Sequence, residues 1–227
     1  MFDQQFVETI FLTFRLAFIT TVILFFAGLP VAYFLAYKDF RFKPVVETVV
    51  SLPLVLPPTV LGFYLIVLLS PEGFLGGLIE KISGHSLLFT FEGLVLGSVV
   101  YSFPFMVHPL QSGFSSIPPS LIEASYTLGK SRIETLLKVI LPNMKPSILT
   151  GIVLTFAHTI GEFGVVLMIG GSIPGETKVA SIAIYEEVEA LNYDRANLYA
   201  LVLFLITAFI LIVVYTVNRR FTRAQNL

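Results

Sequence analysis

A single carboxylate interrupts a long apolar stretch of this chain. Glu162, within Gly161-Glu162-Phe163-Gly164, is the only charged residue between Ser147 and Ile169. Placed in a bilayer, a carboxylate costs about 2.5–3.5 kcal/mol on insertion scales, so it must face a cavity or a partner instead of lipid. Glu162 therefore either lines or gates a path, or locks two helices through a hydrogen bond. It is not expected to bind a negative substrate directly, because like charges repel. His158 stands four residues earlier, on the same helical face, as its candidate partner. The second feature is Pro57-Pro58-Thr59. Two adjacent prolines remove two backbone donors and should kink or unwind a helix. In lipid, the freed carbonyls are tolerated only against other helices or along a water-filled path, which makes this a candidate pore-lining bend. Pro57, Pro58, Thr59, Gly161, Glu162, Phe163 and Gly164 are thus the candidate path or gate residues. His85, His108 and His158 occur singly, without metal-ligand spacing, and no Ser/His/Asp arrangement is evident, so no catalytic residue and no metal site is expected.

The elements that must position these residues follow from composition. Of 227 residues, 56% are hydrophobic and 13% charged, and the mean hydropathy is +0.87. Soluble domains run at roughly 45–50% apolar and about 25% charged, so a soluble enzyme is excluded in practice. Fourteen basic against 15 acidic residues leave no excess for nucleic acid. No cysteine is present, which removes disulfides, thiol nucleophiles and cysteine–metal sites. Each helical span needs about 20 mostly apolar residues. Five stretches qualify: Phe6–Tyr37 (broken by Arg15), about Val45–Leu69, Gly93–Gln111, Ser147–Ile169 and Asn197–Val217. They do not alternate as barrel strands do. The expected fold is an all-α integral membrane bundle of five helices, or six if Phe6–Tyr37 is split, in a single domain over 1–227.

Lysine and arginine set the orientation. Lys38, Arg41, Lys43, Lys130, Arg132, Lys138, Lys145, Arg219, Arg220 and Arg223 fall on one side, read as cytoplasmic. Arg15, Lys81, Lys178 and Arg195 fall on the other among many acids, placing the N-terminus outside and the C-terminus in the cytoplasm. Arg15 is the only basic residue at depth and is expected to snorkel. The outer loop, about 170–196, opens with turn signals at Gly170-Gly171 and Pro174-Gly175. It continues as a short amphipathic helix expected at the outer interface.

The inner loop, about 112–146, is too small for a catalytic domain and large enough to dock a partner. Pro118-Pro119 stops what precedes it. Ser120 and Glu123 have the spacing of a capping box, as do Ser131 and Glu134. A first helix over Leu121–Leu128 should close at Gly129, in the left-handed cap, with Leu121, Ile122, Ser125 and Leu128 on one face. A second should run through Leu137 and Val139 until Leu141-Pro142. Gly129-Lys130-Ser131 ends like a phosphate-binding loop. The first glycine of that motif, however, would fall on Ala124, and a helix precedes it in place of a strand. The chain itself is not expected to bind ATP.

Glu123-Ala124-Ser125, three residues, Gly129, nine residues, then Val139-Ile140-Leu141-Pro142 resembles the EAA loop of ABC importer permeases, with Ser125 and Val139 departing from the pattern. The resemblance implies a type I permease-like fold and a coupling helix seated in a separate ATPase subunit. Contact roles follow for Glu123, Ala124, Ser125, Leu128, Gly129, Lys130 and Arg132. Ser51–Gly62, Ile160–Gly164 and Ile173-Pro174-Gly175-Glu176-Thr177 are similar to molybdate importer permeases; the Gly-Glu-Phe-Gly element also occurs in sulfate and thiosulfate permeases. That likeness implies a multi-pass protein of a prokaryotic inner membrane that carries molybdate or tungstate by alternating access. Its partners would be a second copy of itself, two ABC ATPase subunits holding ATP and Mg, and an extracytoplasmic oxyanion-binding protein. Two rival classes are an autonomous anion channel built on the proline-broken helices and an intramembrane enzyme using Glu162 and His158.

Overall fold

A computed structural model describes residues 3–225, with side chains described for all of these except Ser83 and 217–225. Arg219, Arg220 and Arg223, counted in the charge asymmetry, lie outside the described side chains. The elements are α1 (Gln4–Tyr37), α2 (Lys43–Val55), α3 (Pro58–Leu69), α4 (Phe74–Ser83), α5 (Phe91–Ser115), α6 (Pro119–Thr127) and α7 (Arg132–Thr135). A π-helical turn at Leu136–Ile140 follows, then α8 (Leu141–Asn143), α9 (Lys145–Gly161), α10 (Gly164–Gly170), α11 (Ala180–Glu189) and α12 (Tyr193–Gln225).

Among the described residues, three helices, α1, α5 and α12, are long and apolar enough to cross a bilayer, and two bent helix pairs bring the number to at most five. The first stretch is one continuous helix of 34 residues despite Pro30, so it is not split into two spans. Asp3 caps its start, accepting from the Phe6 amide at 2.8 Å. The second stretch bends by 114° between α2 and α3. The cause is local. A residue before proline is pushed out of the α region, and Pro57-Pro58 imposes this on two residues in succession. Leu56 and Pro57 are accordingly extended (ψ 137° and 135°), and Pro58 opens α3 at a position that needs no donor.

The fourth stretch departs from expectation. It is not one helix with Glu162 at its middle: α9 ends at Gly161, Glu162 is extended (ψ 131°), and α10 begins at Gly164. No proline is involved, but each flanking glycine weakens a helix by about 0.5–1 kcal/mol relative to alanine.

Helices α1, α5 and α9 pack together as the centre of the bundle. Their core at one end joins Leu24, Leu35, Met106, Leu110 and Phe114 to Ile117, Ile140 and Met144 of the 112–146 segment. That segment is therefore packed onto the bundle. At the opposite end, α11 does not lie on the surface. Ala180, Ile182 and Ala183 are fully buried, Ala180 and Ala183 clustering with Phe6 of α1 and Tyr199 of α12. The Ala180 amide donates to Thr13 Oγ1 at 2.9 Å. Arg195 joins Asp3 at 2.6 Å and Glu187 at 3.4 Å, and Lys178 pairs with Glu186. Burial works against ionisation of Glu186, yet the hydrogen bond and charge of Lys178 hold its carboxyl below the ordinary value. Arg15 does not snorkel alone; its guanidinium sits 4.2 Å over the Phe91 ring. Helix α4 was not anticipated. It exposes Phe74, Leu78 and Ile82 on one side, as an interfacial helix does.

Candidate functional site

The two helix breaks, more than a hundred residues apart in sequence, meet. A β-carbon added to Gly164 would lie 2.7 Å from Pro58 Cβ, and one added to Gly62 would lie 2.7 Å from Met168 Cβ. Glycine at 62 and 164 is what lets α3 and α10 approach this closely. Pro58, Thr59, Gly161, Glu162, Phe163 and Gly164 line one cavity of about 500 Å³, together with Tyr101 and His158. Six of the seven candidate path residues are thus brought together. The seventh, Pro57, makes the bend and does not line the cavity.

Glu162 is only 3% exposed. Neither carboxylate oxygen meets hydrogen-bond geometry in this conformation; the buried Ser98 hydroxyl of α5 lies beside them, close enough to interact but likewise outside that geometry. Its backbone is better served, because Ser181 of α11 donates to the Glu162 carbonyl at 2.5 Å. This satisfies a group that the break leaves free, as a membrane interior requires. The ring of Phe163 packs against Tyr185 of the same helix at 5.0 Å between centroids.

The expected His158–Glu162 pairing is not formed. His158 turns to α5, where its Nδ1 lies 2.9 Å from Ser102 Oγ, and the same hydroxyl is 3.0 Å from Thr159 Oγ1. Same-face spacing on α9 permitted the pairing with Glu162. The extended backbone at Glu162 ends that face, and a partner 56 residues away is invisible to spacing.

The Ile173–Thr177 element is a pinned turn. Thr177, fully buried, donates through Oγ1 to the Gly170 carbonyl at 2.7 Å and accepts from the Ile173 amide at 2.9 Å. Gly171 and Gly175 take positive φ at 61° and 78°, which glycine adopts without penalty. Among the described residues, no group of three or more His, Asp or Glu is placed to hold a metal ion.

The 112–146 segment is two short helices hinged at Gly129, as its sequence suggests. Gly129 has φ 75°; its amide bonds to the Tyr126 carbonyl at 2.9 Å and that of Lys130 to Ser125 at 3.2 Å. This pair of bonds is a Schellman cap. The Ser131–Glu134 capping box is present in both directions, and Glu134 also pairs with Lys138 at 2.9 Å.

Three details differ from expectation. The Ser120–Glu123 box is absent, because α6 starts one residue earlier at Pro119 and leaves Ser120 inside the helix. The second helix does not stop at Leu141-Pro142. A π turn, with the Leu141 amide bonded to Leu136, shifts the register so that the proline is carried through to Asn143. Finally, Leu121, Ile122, Ser125 and Leu128 do not share a face. Ile122 packs on the core and Ser125 is buried, whereas Leu128, past the last turn of α6, is 79% exposed.

The exposed side of the segment presents Glu123, Ala124, Tyr126, Leu128 and Ile133 beside Arg132. Ser125 points inward, its Oγ 2.9 Å from Thr135 Oγ1, and this buried pair ties α6 to α7 across the hinge. Ser125→Ala would leave the Thr135 hydroxyl buried without its partner, at a cost of about 1–3 kcal/mol. Faster amide exchange at Gly129 and Lys130 is the expected result, with Thr135→Val in the same chain restoring protection. Unchanged exchange in the single variant would show that the pair holds nothing.

With this geometry established, likeness to other proteins is informative. The family described as "binding-protein-dependent transport system inner membrane component" matches residues 28–226. A molybdenum transport system permease protein of Azotobacter vinelandii is 45% identical over 210 residues, covering 92% of each chain. A probable sulfate transport system permease protein of Chlorella vulgaris is 33% identical over 212 residues, covering 93% of this chain and 79% of that one. In three dimensions the chain is similar to part of a bacterial ABC transporter involved in the import of the acidic polysaccharide alginate. The TM-score is 0.78 at 20% identity, covering 96% of this chain and 80% of the other.

Proposed function

The chain belongs to the family of binding-protein-dependent transport system inner membrane components, and from that membership we propose that it is the membrane-spanning subunit of an ATP-driven importer of molybdate or the chemically close tungstate. The 45% identity to a molybdenum permease, spread over 92% of both chains, carries this reading. The geometry agrees with it. A packed segment with exposed Leu128 and Ile133 joins the ends of α5 and α9, and the other halves of those helices carry Tyr101, His158 and Gly161 of the Glu162 cavity.

Two copies would enclose the path between them, with the 112–146 segments in the cytoplasm and the N-termini outside. Two ATPase subunits, holding ATP and Mg, would grip Glu123, Ala124, Leu128, Gly129, Lys130 and Arg132. An extracytoplasmic oxyanion-binding protein would deliver the substrate to the opposite face. Closure of the ATPase pair would push the segment, and with it α5 and α9, turning the cavity outward; hydrolysis would return it. Ser125 supports this contact from within, as the brace between α6 and α7. Glu162 lines the path without binding the anion, and substrate choice rests mainly with the binding protein.

Vesicles holding the chain with its ATPase and binding protein are expected to take up molybdate only when all three components and ATP are present. Uptake by this chain alone would favour an autonomous channel. Sulfate is the second reading, favoured by the sulfate permease relative. An excess of unlabelled sulfate should leave molybdate uptake unchanged while tungstate abolishes it; strong inhibition by sulfate would reverse the assignment.

A further inference from the structure

Two cavities lie in series along one groove framed by α2–α3, α5 and α9. The first is the Glu162 cavity of about 500 Å³. The second, about 540 Å³, is lined among others by Leu54, Phe105, His108, Ser112, Thr150 and Leu154. Their linings run on along each element. Leu54 is followed by Pro58 across the Pro57 bend, Phe105 is one turn from Tyr101 on α5, and Leu154 is one turn from His158 on α9.

At the boundary the two walls touch. Phe105, from the second cavity, stacks on His158, from the first, with centroids 3.9 Å apart and planes 25° apart. Tyr101 also packs against His158, at 4.7 Å between centroids, and Ser102 fixes the imidazole through Nδ1. We propose that the Phe105–His158 stack, backed by Tyr101 and oriented by Ser102, is each copy's half of the constriction that closes the translocation path between the two cavities. This rests on the transport reading above.

The stack closes its own copy's side of the path because rings in van der Waals contact leave no gap between the two cavities for an oxyanion, hydrated or bare. It can open because of where it sits. Pro104 and Pro109 lie inside α5 on either side of Phe105. Proline donates no amide hydrogen, so the carbonyls of Val100 and Phe105 lose their intrahelical partners. Helix α5 therefore bends most readily in the turn that carries Phe105. The segment grafted between α5 and α9 pulls on both helices at once. Separating them by less than the width of a ring breaks the stack and turns Ser102, His158 and Tyr101, all hydrogen-bonding groups, toward the passing anion. This gives His158 a role that neither a metal site nor a partnership with Glu162 supplies.

The test uses the complete transporter in proteoliposomes loaded with molybdate and diluted without ATP. Phe105→Ala and His158→Ala are each expected to raise passive efflux roughly tenfold, the upper end of what one ring pair contributes. His158→Phe, which keeps the stack and loses the Ser102 contact, should stay closed. Unchanged efflux in both alanine variants, or equal leaks from His158→Phe and His158→Ala, overturns the proposal.

A second measurement avoids altering the stack. The chain has no cysteine, so Thr59→Cys and Thr150→Cys introduce single probes, one in each cavity. In the nucleotide-free complex a membrane-impermeant thiol reagent should modify them from opposite faces only; modification of either from both faces overturns the proposal. Lack of ATP-driven uptake by the unaltered transporter would count against the transport reading instead, while the sidedness of the two cysteines still reports on the stack.

Discussion

Proline at position 129 is expected to stop ATP-driven uptake while the membrane bundle still assembles with its partners. Gly129 holds φ at 75°, and proline is confined near −65°. The substitution also deletes the amide that bonds the Tyr126 carbonyl at 2.9 Å. Wrong φ and a lost donor together cost about 3 kcal/mol or more, roughly a hundredfold in the population of the correctly hinged segment at 1.4 kcal/mol per decade. The remainder of the bundle is untouched, because nothing lies within 4 Å of where a Gly129 β-carbon would be.

That open space also supplies a graded control. Gly129→Ala meets no neighbour and carries only the left-handed strain, about 1–2 kcal/mol, so uptake should fall roughly 5- to 30-fold and no further. Uptake and ATP hydrolysis by the reconstituted complex are the two readouts. Gly129→Pro should leave hydrolysis running without transport. Transport by Gly129→Pro at the unaltered rate would show that the angle between α6 and α7 transmits nothing.

Gly129 was readable from sequence because it belongs to a local device. A Schellman cap involves residues within one turn of each other, as does the Ser131–Glu134 box, and both are present. The bend at Pro57-Pro58 was readable for the same reason. Proline acts on its immediate neighbour whatever the surroundings. The break at Glu162 has no such marker. Gly161 and Gly164 weaken a helix without forbidding it, and what stabilises the extended conformation is tertiary: Ser181 on the Glu162 carbonyl and Pro58 against Gly164. The meeting of the two breaks and the capture of His158 by Ser102 are likewise contacts across more than fifty residues. Periodicity carries no information about them. The Ser120 box failed on a finer point, since Pro119 is pre-set for a first helical position and started the helix one residue before the serine.

Glu162→Leu is expected to raise the thermal stability of the assembled complex and to lower its transport rate by tenfold or more. A carboxyl group that locked two helices would hold a well-formed hydrogen bond; here both oxygens are buried, and the Ser98 hydroxyl of α5 beside them stays outside hydrogen-bond geometry. An unmet buried polar group costs about 1–3 kcal/mol, more when charged, and replacing such a group by a well-packed apolar one is commonly neutral or stabilising. The chain therefore carries a group that disfavours the conformation described here.

In a transporter that alternates, this cost is useful wherever the other conformation gives Glu162 water or a donor. About 1–3 kcal/mol of difference corresponds to roughly 5–150-fold in the balance between two states. Leucine at 162 removes the bias, so the complex rests in this conformation and leaves it slowly. Glu162→Gln, of nearly the same shape, should fall between, because the amide still seeks partners but cannot ionise where the other conformation gives position 162 water. Melting temperature and initial uptake rate, measured on the same preparation, separate the possibilities. A fall in both for Glu162→Leu would mean that the carboxyl is a structural lock, and unchanged transport would remove it from the path.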